Sequence, residues 1–134
     1  MGPLISSELV QTILVVDDSG TARMIIKQCL AIIGLKDKKY LEASNGRDAV
    51  EVLKQSSVDL VVTDLNMPVM DGEALLLEIK GADVWRKIPV IVITSTSNDV
   101  REKALREVGA EAVISKPVNP AVLHAAWQKI CGAK

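Results

Sequence analysis

Ile13-Leu14-Val15-Val16-Asp17-Asp18-Ser19 is an unbroken aliphatic run that ends abruptly in two carboxylates. Apolar side chains at every position, instead of every second one, suit a parallel strand covered on both faces. Runs of the same kind recur at Tyr40–Ala43, Leu60–Thr63, Val90–Ile93 and Ala112–Ile114. The second includes Glu42 and fits the edge of a sheet. Between the runs the period becomes helical. Ala22, Ile25, Ile26, Cys29 and Ile33 predict one apolar stripe on a helix that stops at Gly34. Asn45 is placed to cap a second helix, with Ala49, Val50 and Leu53 inward and Ser56-Ser57 at its end. Asp71 is placed to cap a third, carrying Leu75, Leu76 and Ile79 as far as Gly81. Val100, Ala104 and Val108 mark a fourth, closed by Gly109. Asn119 followed by Pro120 opens a fifth, with Leu123, Ala126, Trp127 and Ile130 inward. Strict alternation of strand and helix predicts right-handed crossovers and a doubly wound α/β sheet of (βα)5 form.

Length and composition agree with one such domain. The chain has 134 residues, 49% of them apolar, enough for a single aliphatic core. Sixteen basic and 17 acidic residues give a net charge of −1, which argues against a nucleic-acid arm or a polybasic membrane anchor. The aromatics are Tyr40, Trp85 and Trp127, with no Phe, too few for a platform that stacks single-stranded nucleic acid. Cys29 and Cys131 have no partner at metal spacing and read as reduced thiols of a cytoplasmic protein. Residues 1–11 lack the basic start and apolar run of a secretory signal and read as an N-terminal extension to a domain over 12–134. No window approaches the roughly 20 apolar residues of a membrane span.

In an open parallel sheet, ligands bind beyond the carboxyl ends of the strands. Asp17 and Asp18 follow the first run and Asp64 the third; Thr94 ends the fourth, and Ser115, Lys116 and Pro117 follow the fifth. Three carboxylates, a hydroxyl and an ammonium therefore converge on one edge. Two like charges about 4 Å apart repel by roughly 4 kcal/mol at an effective dielectric of ~20, so a cation or a retained proton has to resolve the cluster. Oxygen-only ligands without nearby Cys or His point to Mg²⁺ or Mn²⁺. One Asp alone after a strand could simply cap the next helix, but capping explains too little of a pair joined by Asp64. Lys116 serves as a counter-charge or as a ligand for phosphate oxygens. These are the parts of a phosphoryl-transfer site, with Asp64 as the attacking group and Lys116 and Thr94 holding the transferred one.

Val15-Val16-Asp17-Asp18-Ser19, Asp64-Leu65-Asn66-Met67-Pro68 with Asp71-Gly72, Ile93-Thr94-Ser95 and Ser115-Lys116-Pro117 together resemble the receiver domain of two-component response regulators. The resemblance runs from about Thr12 to the C-terminus, with all four blocks in order, and the Asp-Asp-Ser opening with Met24 and Ile25 looks most like chemotaxis-type receivers. It implies a flavodoxin-like sheet of strand order 2-1-3-4-5. It further implies that Asp64 is the phosphoacceptor. Asp17, Asp18, Asp64 and the backbone carbonyl of Asn66 would hold Mg²⁺. Thr94 would be the switch hydroxyl and Lys116 its charged partner, with a cis peptide before Pro117. The phosphoryl group would come from a phosphohistidine of a partner histidine kinase or histidine phosphotransfer protein, and output would pass to an unidentified downstream protein. A stand-alone receiver of this kind is a switch that catalyses only its own phosphorylation and dephosphorylation.

Val113 stands where many members carry Tyr or Phe, three residues before the lysine. Asn66 and Thr96, two residues beyond the phosphoacceptor and the switch hydroxyl, are small and polar, which predicts a short-lived phosphoryl group. His124 is the only histidine and reads as a surface or satisfied side chain, Trp127 as core, and Arg101-Glu102-Lys103 with Arg106-Glu107 as a solvated face that could also meet a partner. Three other readings compete. A small aspartate-dependent phosphatase sets nucleophile and acid two apart, whereas here the residue two beyond Asp17 is Ser19. A flavin carrier needs a phosphate loop that Asp17-Asp18 would repel. A degenerate, partner-binding receiver would be expected to have lost some of the five key positions, and all are present.

Overall fold

Each aliphatic run forms a strand one residue longer than its apolar part. The computed structural model describes residues 9–95 and 98–131. The strands are β1 (Thr12–Val16), β2 (Lys39–Ala43), β3 (Leu60–Asp64), β4 (Val90–Thr94) and β5 (Ala112–Ser115). The helices are α1 (Gly20–Leu30), α2 (Gly46–Gln55), α3 (Gly72–Gly81), α4 (Asp99–Val108) and α5 (Pro120–Cys131), alternating with the strands. All pairings are parallel, in the order β2-β1-β3-β4-β5. This is the doubly wound, flavodoxin-like (βα)5 arrangement.

β1 shows why a strand in this position is apolar throughout. Ile13 and Val15 face a layer containing Ile26, Cys29 and Leu30 of α1 with Leu123, Ala126 and Trp127 of α5. Leu14 and Val16 face the opposite layer, built by α2, α3 and Leu105 of α4. Each fully buried aliphatic side chain contributes about 1.5–3 kcal/mol relative to exposure. Val10, ahead of β1, is also buried in the first layer. No helix among the described residues is long and apolar enough to cross a membrane.

Every helix begins with a side-chain oxygen that accepts from an otherwise unbonded amide. Ser19, Asn45, Asp71, Asn98 and Asn119 accept from the amides of Ala22, Asp48, Ala74, Arg101 and Val122 at 2.8–3.2 Å. Such a cap typically stabilises by about 1 kcal/mol. α1 passes at Leu30 into one wider turn, Ala31–Leu35, in which Gly34 takes φ 113°. That is the left-handed region where a side chain is disfavoured.

Two stripes differ from the sequence reading. Ile25 is 42% exposed, because α1 turns Ile26, Cys29 and Leu30 inward and leaves Ile25 at the margin beside Pro117 and Val118. In α4, Val100 is 80% exposed and Ala104 is also exposed, whereas Leu105 is buried and Val108 partly so. The helix touches the sheet along a narrow line, and its largest apolar side chain takes that line.

At the amino end of the sheet Lys80 of α3 closes the β4–β5 margin. Its Nζ donates to the carbonyls of Arg86 (3.1 Å) and Ile88 (2.8 Å) and to Glu111 Oε2 (3.1 Å), while Glu111 Oε1 accepts from the Val90 amide at 2.7 Å. Gly109, at φ 130°, lies under this lysine, and a Cβ there would sit 2.8 Å from Lys80 Cγ. This contact and its positive φ both favour glycine at the end of α4.

Candidate functional site

The strand register assembles the site. Val16 pairs with Thr63, so the next residues, Asp17 and Asp64, emerge side by side at the carboxyl edge. Asp64 pairs with Ile93 and Thr94 with Ser115, which places the hydroxyl of Thr94 one strand over and Lys116 beyond it. The Lys116 amide donates to the Thr94 carbonyl at 2.9 Å, carrying the ladder one residue past β5. Asp17, Asp64 and Thr94 are 1%, 4% and 0% exposed.

One carboxylate oxygen from each of Asp17, Asp18 and Asp64 lies within 4.8 Å of the others. At that separation each pair repels by about 3 kcal/mol at an effective dielectric of ~20. The carboxylates are not used up in capping, since Ser19 supplies the cap of α1. Asp17 Oδ1 accepts from the Ser19 amide at 2.9 Å, whereas its Oδ2 is buried without a hydrogen-bond partner. Lys116 Nζ stands 3.3 Å from Asp64 Oδ1 and 3.7 Å from Asp17 Oδ2. One ammonium thus contacts two of the three clustered carboxylates, those of Asp17 and Asp64. Burial pushes the Asp64 carboxyl above its usual range and the neighbouring Asp17 pushes the same way, with Lys116 and the Leu65 amide opposing. A buried oxygen without a hydrogen bond and three convergent oxygen donors fit a hard divalent cation such as Mg²⁺ or Mn²⁺.

Close packing fixes the loop that follows Asp64. A Cβ on Gly72 would clash with the Asp64 carbonyl oxygen, so only glycine lets α3 start directly beneath the end of β3. The Gly72 amide donates to the Leu65 carbonyl at 2.8 Å, and Asp71 caps α3. Within the loop Asn66 is exposed, and Val69 takes φ 70° in a three-residue turn closed by Met70 N–H to Pro68 C=O at 2.7 Å. The Met70 carbonyl then accepts from the Gly46 amide at 2.8 Å, tying the loop to the start of α2.

The structure therefore brings Asp17, Asp18, Asp64 and Lys116 into one cluster, with Thr94 buried at the end of the neighbouring strand. The Lys116–Pro117 peptide is cis. Thr96 lies outside the described residues. Val113 is buried, Trp127 is in the core, and His124 is exposed on α5.

Sequence reasoning missed Arg23. Its Nη1 donates to the Asp17 carbonyl at 2.6 Å and its Nε to Glu42 Oε1 at 2.7 Å. A signal was available: α1 has no acid in its first turn and carries Arg23 there, against the preference of a helix N-terminus for negative charge.

Residues 13–128 match the sequence profile of the response regulator receiver domain. The chain is 35% identical over 121 residues to chemotaxis protein CheY1 of Helicobacter pylori (strain J99), covering 90% of this chain and 96% of that protein. Among solved structures it is similar to the signal receiver domain of a signal transduction histidine kinase from Syntrophus aciditrophicus, with a TM-score of 0.77, 35% identity and 92% of each chain covered. The Mn²⁺-bound form of response regulator Rcp1 gives a TM-score of 0.71 at 26% identity, over 91% of this chain and 90% of that one. With the fold, the acidic cluster and the profile in agreement, this chain belongs to the response regulator receiver domain family.

Proposed function

We propose that Asp64 accepts a phosphoryl group from a phosphohistidine of a partner histidine kinase or histidine phosphotransfer protein. The step depends on Mg²⁺, and the phosphorylated chain then signals by contact with a downstream protein. The observation that carries this reading is the unbalanced acidic trio with one lysine, in which Asp17 Oδ2 is buried without a hydrogen bond and has only the Lys116 ammonium at 3.7 Å. Membership of the receiver family supports a phosphoryl group as its substrate, and the Mn²⁺-bound relative supports a divalent ion beside it.

In the transfer one Asp64 oxygen attacks phosphorus while the bond from phosphorus to the donor imidazole nitrogen breaks. The imidazole leaves with that electron pair. A bound divalent ion supplies positive charge to the phosphoryl oxygens, and Asp17, Asp18, Asp64 and the Asn66 carbonyl are the groups proposed to hold it. Lys116, paired with Asp64 and Asp17, would exchange a carboxylate partner for a phosphoryl oxygen. Thr94 supplies a hydroxyl donor from the end of β4. Phosphorylation takes Asp64 from about −1 to roughly −2 in charge and adds acceptor oxygens, enough to bias the surrounding loops. The exposed, small Asn66 leaves the phosphoryl group open to water, in keeping with a short lifetime. On the output side, Val113, Ile114 and Val122 line a shallow groove on the α4–β5–α5 face, a surface suited to a protein contact.

Intact-mass measurement after incubation with a small acyl-phosphate donor tests this. A single phosphoryl adduct is expected in wild type with Mg²⁺, absent with EDTA and absent in Asp64→Asn. An adduct that survives either change would refute the assignment.

A further inference from the structure

Asp17 and Asp18 are held in different ways. Asp17 is buried, its Oδ1 accepts from the Ser19 amide, and its own amide donates to the Ala43 carbonyl of β2 at 3.1 Å. Asp18 is exposed, and among the described residues no hydrogen bond or ion pair fixes its carboxylate. Its position therefore depends on its backbone, beginning with the peptide that joins it to Asp17.

That peptide is gripped from outside the site. Arg23 Nη1 donates to its carbonyl oxygen at 2.6 Å, and Arg23 Nε donates to Glu42 Oε1 at 2.7 Å. Lys27 Nζ holds the other Glu42 oxygen at 2.7 Å. Lys27 and Arg23 together keep the Glu42 carboxyl below its usual range. A guanidinium suits this bridge because its N–H groups project as a rigid fork toward two acceptors at once. The anchor is firm, since Glu42 sits on β2 next to Ala43, which receives the Asp17 amide. Turning the Asp17–Asp18 peptide would break the Arg23 bond and swing the Asp18 carboxylate away from Asp64.

We infer that Arg23, braced by Glu42, is a positioning residue for the acidic pair, setting the carboxylate geometry into which a divalent cation fits. The inference rests on the metal-dependent reading above and extends it to two residues that touch neither metal nor phosphate. Its direction can be read without ambiguity. Arg23 is a positive charge beside a cation site, so charge alone predicts that removing it tightens metal binding. Positioning predicts the opposite.

Free Mn²⁺ counted by electron paramagnetic resonance, with Mg²⁺ as competitor, gives affinities for the full chain independent of phosphorylation. Circular dichroism melts monitor folding. Arg23→Met should weaken binding about tenfold, the range seen when outer partners of metal ligands are removed. Arg23→Lys should recover part of the loss, since an ammonium reaches one acceptor but cannot fork to two. Glu42→Gln should weaken binding less than Arg23→Met. Lys27→Met should lower the melting temperature and leave affinity at the wild-type value, because Glu42 keeps its bond to Arg23. Equal or tighter binding in folded Arg23→Met would overturn the inference, as would an equal loss in Lys27→Met. If Arg23→Met does not fold, unchanged affinity in both Arg23→Lys and Glu42→Gln overturns it instead. Wild type that binds no ion would overturn the metal reading itself, a result distinct from any of these.

Discussion

Asp64 carries its charge at a buried strand end facing Asp17, and burial raises its carboxyl above the usual range. The folded state therefore holds the Asp64 proton more tightly than the unfolded chain does. The stability this contributes is fully present below the ordinary aspartate value of about 3.9 and is lost as pH rises through the higher folded value. Above that, the ionised carboxylate opposes folding. Asp64→Asn in EDTA should accordingly melt higher than wild type at pH 7, and the gap should close as pH falls toward the ordinary carboxylate range. A gap that widens on acidification would mean that Asp64 is stabilised as an anion, with Lys116 outweighing burial. At this scale the candidate site residues were legible because each carries a chemical group at an abrupt end of an aliphatic run. Arg23 was not, since its partners are a backbone carbonyl and a glutamate on β2 that only the fold brings near.

Strands were easier to read than helices for a physical reason. Both faces of the sheet are covered, so its inner strands are largely apolar at successive positions and stand out in the sequence, as the fully buried β3 and β4 show, whereas the edge strand β2 is mixed. Their last residues were less visible, because pairing continues through Asp64 and Thr94 after the side chains turn polar. α4 was misread because its attachment is so narrow. Leu105 is 1% exposed, whereas Val100 on the expected stripe is 80% exposed. Leu105→Ala should cost about 2–5 kcal/mol in denaturant unfolding. Val100→Ala should stay within about 0.5 kcal/mol of wild type. Comparable losses at the two positions would show that α4 packs on the wider face its sequence suggests. The Lys80–Glu111 contacts were also invisible in sequence, since they join the end of α3 to the start of β5 across 31 residues.

Across the whole molecule, chemistry and architecture are separated along the strands. The carboxyl edge gathers Asp17, Asp18, Asp64 and Lys116, while Lys80 and Glu111 secure the amino edge. The alternation of strand and helix made the fold and this edge legible together, because parallel strands send every following loop to the same end. What no local pattern could supply was the match of Val16 with Thr63, which sets Asp17 beside Asp64. The phosphoacceptor can be located directly. Borohydride reduces an acyl phosphate to an alcohol, so treating the phosphorylated chain should convert the modified aspartate to homoserine, readable by peptide mass spectrometry. Conversion at residue 64, with Asp17 and Asp18 intact, is the predicted result. Conversion at Asp17 or Asp18, or at no aspartate of this edge, would contradict it.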